Sequence, residues 1–135
     1  MGRPAVMRTL ICISAAALSG CGVSSASSTP SATGTAVEQN GKLAFAANRS
    51  GTLAYTVKDA TATAGKVTVS MTNMSGVEHN LAIQRGYSGP VIAQTTADFR
   101  GSASFTVTLK PGRYTFFCTV PGHRAAGMWG TLTVR

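Results

Sequence analysis

From residue 42 to the C-terminus, apolar and polar positions alternate with a period of two, in short runs broken by Gly, Asn, Pro and Asp. Residues 52–57 (TLAYTV), 66–71 (KVTVSM) and 104–109 (SFTVTL) show that alternation most clearly. Each predicts a strand with one face in a core and the other in water. Residues 113–118 and 129–134 predict two more strands, and 80–84 and 91–93 shorter ones. No stretch carries the 3.6-residue stripe of an amphipathic helix. About seven to eight strands, with a turn signal at Lys110-Pro111-Gly112, predict an all-β fold. The expected architecture is an antiparallel Greek-key β-sandwich over residues 42–135.

Upstream of residue 42 the pattern vanishes. Residues 22–40, GVSSASSTPSATGTAVEQN, are mostly Ser, Thr, Ala and Gly, with too little apolar surface to repay the entropy of folding. Residues 21–41 are therefore expected to be a flexible tether, with an end-to-end distance of roughly 25 Å by the random-coil relation. The opening MGRPAVMRTLICISAAALSGC has Arg3 and Arg8 ahead of a short apolar run and small residues before Cys21, as an export signal does. That run falls short of the ~20 residues a membrane span needs. Leu18-Ser19-Gly20-Cys21 resembles the lipobox of bacterial lipoproteins. The resemblance implies a signal peptide over residues 1–20 and lipid on Cys21. It also implies an anchor on the extracytoplasmic face of a bacterial membrane, either the cell membrane or the periplasmic side of another.

Charge and cysteines narrow the reading further. Twelve Lys and Arg against four Asp and Glu give +8, and loss of Arg3 and Arg8 with the signal leaves +6. The cations of residues 42–135 are scattered singly, a pattern that lacks the basic block of a nucleic-acid binder and favours an acidic protein partner or an anionic surface. Of three cysteines, Cys12 leaves with the signal and Cys21 is the lipid site, so Cys118 stands alone without a disulfide partner. A solitary cysteine in an exported domain is either buried and inert or bound to something.

The chain has two histidines, His79 and His123. In CTVPGHRAAGMWG, Cys118, His123 and Met128 follow one another at five-residue steps, just after one predicted strand and before the next. His79, in VEHNL, precedes another strand. If these strand ends meet, two imidazoles, a thiolate and a thioether converge, which is the donor set of a blue-copper site. Soft sulfur donors favour Cu(I) while imidazoles serve both oxidation states.

Residues 114–123 (YTFFCTVPGH) and 127–134 (GMWGTLTV) resemble the C-terminal copper loop of the cupredoxins, the plastocyanin and azurin superfamily. His79-Asn80 is similar to that family's upstream His-Asn pair, and Lys110-Pro111-Gly112-Arg113-Tyr114 to its turn before the cysteine strand. The Cys-x4-His-x4-Met spacing departs from plastocyanin and azurin and is closer to the rusticyanin and sulfocyanin type. The resemblance implies one type 1 copper, with His79, Cys118 and His123 as equatorial ligands and Met128 axial. It implies that Asn80 directs its backbone N–H at the thiolate and braces the two ligand loops with its side chain. Glu78 occupies the place of an azurin glycine whose carbonyl approaches copper, so no such contact is expected.

The function so implied is a membrane-tethered carrier of single electrons between extracytoplasmic redox proteins, not an enzyme and not a nucleic-acid binder. Copper nitrite reductases and multicopper oxidases need a second, histidine-rich copper centre, and no histidine remains for one. A copper carrier or chaperone for assembly of an extracytoplasmic oxidase is the rival, disfavoured by the thiolate. Met71 reads as core filling and Met74 as loop rim, with a second soft copper site as their alternative. Trp129 reads as core packing rather than an electron relay. Arg124 reads as a solvated loop cation or a charge that steers an acidic partner.

Overall fold

A computed structural model describes residues 34–135; the signal, Cys21 and residues 22–33 of the tether lie outside them. Nine strands and no helix form among the described residues. They are β1 (Thr35–Val37), β2 (Lys42–Ala46), β3 (Asp59–Ala62), β4 (Gly65–Asn73), β5 (Ala82–Arg85), β6 (Val91–Gln94), β7 (Gly101–Leu109), β8 (Gly112–Phe117) and β9 (Trp129–Val134). One sheet runs β1-β3-β9-β8-β5-β6 and the other β2-β4-β7. No described helix is long and apolar enough to cross a membrane.

Alternation does what the pattern predicts where a strand has one face covered. Val67, Val69 and Met71 of β4 are buried, and the residues between them are not. Leu132 and Val134 of β9 behave likewise. An aromatic cluster joins the sheets, with the Phe45 ring 4.6 Å from that of Phe116 and the Tyr55 ring 5.5 Å from it. Opposite Phe116 in the β8–β9 ladder stands Gly130, where an added Cβ would lie 2.2 Å from Phe116 Cζ and 2.3 Å from the Lys58 carbonyl. Only glycine lets β9 cross that ring. At the opening of β8, the Tyr114 hydroxyl donates to the Lys110 carbonyl at 2.8 Å and accepts from the Lys110 N–H at 3.2 Å, pinning the Lys110-Pro111-Gly112 turn.

Three expectations need correction. The sheets are mixed rather than purely antiparallel, because β1–β3, β3–β9 and β2–β4 pair parallel. Residues 52–57 are not a strand. Tyr55 faces the core, but its segment pairs only through an isolated bridge to Ala47 and turns back on itself through Ala54 N–H to Thr52 O. The strand there is β3, DATA, whose small Ala60 and Ala62 carry little hydrophobic signal although both are buried. Finally, the sheet includes residues before 42: β1 adds to the edge of β3, so residues 35–37 of the expected tether belong to it.

Candidate metal centre

β5 and β8 pair antiparallel with Ala82 opposite Phe117. Continuing that register by two residues sets Asn80 opposite Thr119, so His79 and Cys118 emerge at the same end of the sheet. Where the ladder stops, side chains take over. The Thr119 N–H donates to Asn80 Oδ1 at 2.8 Å, and Asn80 Nδ2 donates to Thr119 Oγ1 at 2.7 Å. The buried Tyr55 hydroxyl holds the Asn80 carbonyl at 2.6 Å.

The segment 118–128 links β8 to β9, and its hydrogen bonds explain its spacing. Ala126 N–H reaches Gly122 O at 3.0 Å, one helical turn. Gly127 N–H then bonds Arg124 O at 2.9 Å and Met128 N–H bonds His123 O at 3.0 Å. These paired 5→2 and 6→1 bonds, with Gly127 at φ 106°, form a Schellman closure. The longer of the two spans His123 to Met128, so the four-residue gap between them is the gap this closure requires. Cys118 N–H completes the ring with a 3.1 Å bond to Met128 O.

His79 is fixed differently. It exchanges both backbone hydrogen bonds with Asp98, at 3.1 and 3.0 Å. The buried Asn73 donates to the carbonyls of Val77 and Asp98 at 2.7 and 2.6 Å, bracing both sides of that bridge.

These two constructions bring three donors together. His79 Nδ1 lies 3.2 Å from His123 Nδ1, and Cys118 Sγ lies 3.6 Å from the same nitrogen. All three ligand atoms fall within 4.8 Å of one another. A metal about 2.0–2.1 Å from nitrogen and about 2.3 Å from sulfur, at near-tetrahedral angles, spaces its nitrogens ~3.3 Å apart and nitrogen from sulfur ~3.6 Å. The donor set therefore fits a metal. Met128 is fully buried, with its backbone bonded to both His123 and Cys118.

Electrostatics agree with that fit. Burial, helped by the neighbouring His123, lowers the pKa of His79, which keeps its ring neutral as a ligand must be. With Nδ1 turned to the other donors, the proton of the neutral ring belongs on Nε2, which is buried with no hydrogen-bond partner among the described residues. Burial raises the Cys118 thiol. The backbone N–H groups of Asn80 and Val120 oppose that rise, and the Glu78 charge adds to it. The Asn80 side chain joins the two loops.

Copper-binding proteins of the plastocyanin/azurin family match this chain over residues 42–135. The chain belongs to that family. Its cofactor is accordingly copper, and His79, Cys118 and His123 group as the possible copper site. Plastocyanin from Prochlorothrix hollandica is 36% identical over 84 residues, covering 59% of this chain and 62% of the relative. Auracyanin-B from Chloroflexus aurantiacus is 52% identical over 42 residues, covering 31% of this chain and 17% of the relative. The chain thus spans less than two thirds of either relative's length. The crystal structure of dithionite-reduced auracyanin from the photosynthetic bacterium Roseiflexus castenholzii superposes with a TM-score of 0.66 at 30% identity, over 73% of this cupredoxin and 99% of that one.

Around the cupredoxin site, two residues agree with their sequence reading and two differ. Met71 is in the core and Met74 is exposed. Trp129 is only half-buried, edge-on to the exposed Tyr87 with ring centroids 5.5 Å apart. Arg124 is no solvated cation, since its guanidinium is bonded and stacked at the edge of the site. Asn73, Tyr55 and Thr119 escaped sequence reasoning. Asn73 had a local signal, an Asx turn with Ser75 after a strand, whereas Tyr55 had none because its partner is 25 residues away.

Proposed function

We propose that this cupredoxin is an extracytoplasmic carrier of single electrons, in which His79, Cys118, His123 and Met128 would hold a type 1 copper. The observation that carries the reading is the donor spacing of 3.2 and 3.6 Å, built from two loops that Asn80 ties together. Bound copper supplies a one-electron couple. The chain's contribution is to fix the donors. The Asn80–Thr119 pair, the Schellman closure and the Asn73 brace hold them in place, so little of the site needs to rearrange when charge changes.

His123 is half-buried, and Pro121, Gly122, Ala125 and Ala126 beside it are exposed and small or apolar. Such a surface suits brief docking of a redox partner around the ring edge. The net charge of +6 left once Arg3 and Arg8 go with the signal favours partners with an acidic docking face, at rates that salt should depress. Lipid on Cys21, followed by the Ser- and Thr-rich segment, would hold the domain at the membrane surface where such partners meet it.

Titration of the full-length protein with Cu(II) tests the assignment. An intense blue thiolate-to-copper absorption, absent from Cys118→Ser and reversibly bleached by one electron, is expected. A colourless complex would remove the type 1 reading. Rapid release of copper to a chelator from both oxidation states would favour a metal carrier instead.

A further inference from the structure

The ligand segment 118–128 is tied to the rest of the molecule at three places. Asn80 holds its entrance at Thr119, and Lys58 Nζ holds its exit through the carbonyls of Gly127 and Trp129. The middle is held by Arg124. Its Nη1 donates to Gln84 Oε1 at 3.2 Å and its Nη2 to the Tyr87 carbonyl at 2.7 Å. The guanidinium carbon lies 4.3 Å from the centroid of Phe117 and 4.8 Å from that of Tyr87. Gln84 lies in β5 and Tyr87 just beyond it, so one side chain joins the ligand turn to the β5–β6 connection.

Two features of the sequence make this join specific to the metal centre. Arg124 follows His123 directly, and Phe117 directly precedes Cys118. The carbonyl of Arg124 also accepts the Gly127 N–H bond of the Schellman closure. A planar guanidinium can donate to two carbonyl-type oxygens while stacking on rings, which an ammonium cannot do.

We propose that Arg124 is a positioning residue for the copper centre: it latches the His123-bearing turn to the β5–β6 connection and sets a fixed positive charge beside the site. The copper part rests on the function proposed above; the latch does not. A fixed cation favours the oxidation state with less positive charge, so Arg124 raises the reduction potential. Its latching action shows separately, as slower opening of the turn.

The test uses the full-length protein with Arg124→Met, Arg124→Lys and Tyr87→Leu. In metal-free protein, Arg124→Met should speed hydrogen exchange at the Ala126, Gly127 and Met128 amides about tenfold, with β4 and β7 amides unchanged. In copper-loaded protein it should lower the potential and speed copper loss to a chelator, by about tenfold for a lost supporting contact. Arg124→Lys should restore most of the potential but not the exchange or the copper retention. Tyr87→Leu, which keeps the carbonyl and loses one ring, should give a smaller change of the same kind. A parent that is never blue, with looser turn amides in Arg124→Met, would sink the copper function and keep the latch. Unchanged turn amides in a folded Arg124→Met protein would overturn the latch. An unchanged potential in its blue form would overturn the charge effect.

Discussion

The two loops that carry the donors are built on opposite principles. Segment 118–128 closes on itself: its helical turn, Gly127 closure and Cys118–Met128 bond all lie within eleven consecutive residues. The loop before β5 holds His79 by bonds to residues remote in sequence, to Asp98 through the backbone and, through Asn80, to Thr119. Cys118 and His123, with the proposed ligand Met128, thus sit in one short segment whose shape is local. His79 depends on the assembled sandwich. A site divided this way cannot exist in the unfolded chain, so metal binding should report on tertiary structure, and the joint between the loops should be its weakest point.

Severing that joint should have the largest effect. Asn80→Ala removes both Thr119 bonds and leaves a part-buried N–H without its acceptor. The metal-free protein should lose about 2–3 kcal/mol, read as a lower urea midpoint at constant m. Copper affinity should fall about 10- to 100-fold, as for loss of other groups that orient ligands. An unchanged midpoint would mean that the two loops hold their places independently.

The local segment can be disturbed alone. Gly127→Ala places a Cβ on a residue at φ 106°, where no neighbouring atom clashes and the cost is purely conformational. About 1–2 kcal/mol is expected. Amide chemical shifts should move across 122–128 and stay put at His79 and Asp98. Shifts that spread to the His79 loop would show the two regions to be one cooperative unit.

The same division explains what could be read in the sequence. Cys118, His123 and Met128 announce themselves because their geometry follows from spacing, with Pro and Gly where the turn needs them. His79 was legible only by scarcity, as the one other histidine, and by the Asn80 beside it. Alternation exposed β4, β7 and β9, where strands have one covered face. It failed at β3, whose buried residues are alanines, and at residues 52–57, where Tyr55 is inward-facing without a ladder. Parallel pairing of β1, β2 and β3 was invisible because it depends on which strands lie side by side, and no local pattern records that.

Each loop also contributes one limb to the pH dependence of the metal-free protein, the smallest effect and the cleanest separation. His79 has a pKa lowered from 6.5 by burial and by His123, so the unfolded chain binds a proton more readily below that pH. Stability from this group is complete above about pH 6.5 and is lost as pH falls toward the folded pKa. Cys118 is raised from 9.0 by burial, so the unfolded chain gives up its proton first. Stability is complete below about pH 9.0 and is lost as pH rises toward the folded value. Neither limb can be steeper than about 1.4 kcal/mol per pH unit, the limit for one proton. His79→Gln should flatten the acid limb alone and Cys118→Ser the alkaline limb alone, measured by urea unfolding from pH 5 to about 10. If either variant flattens both limbs, protonation in one loop is felt in the other, and Asn80 couples the two regions electrostatically as well as mechanically.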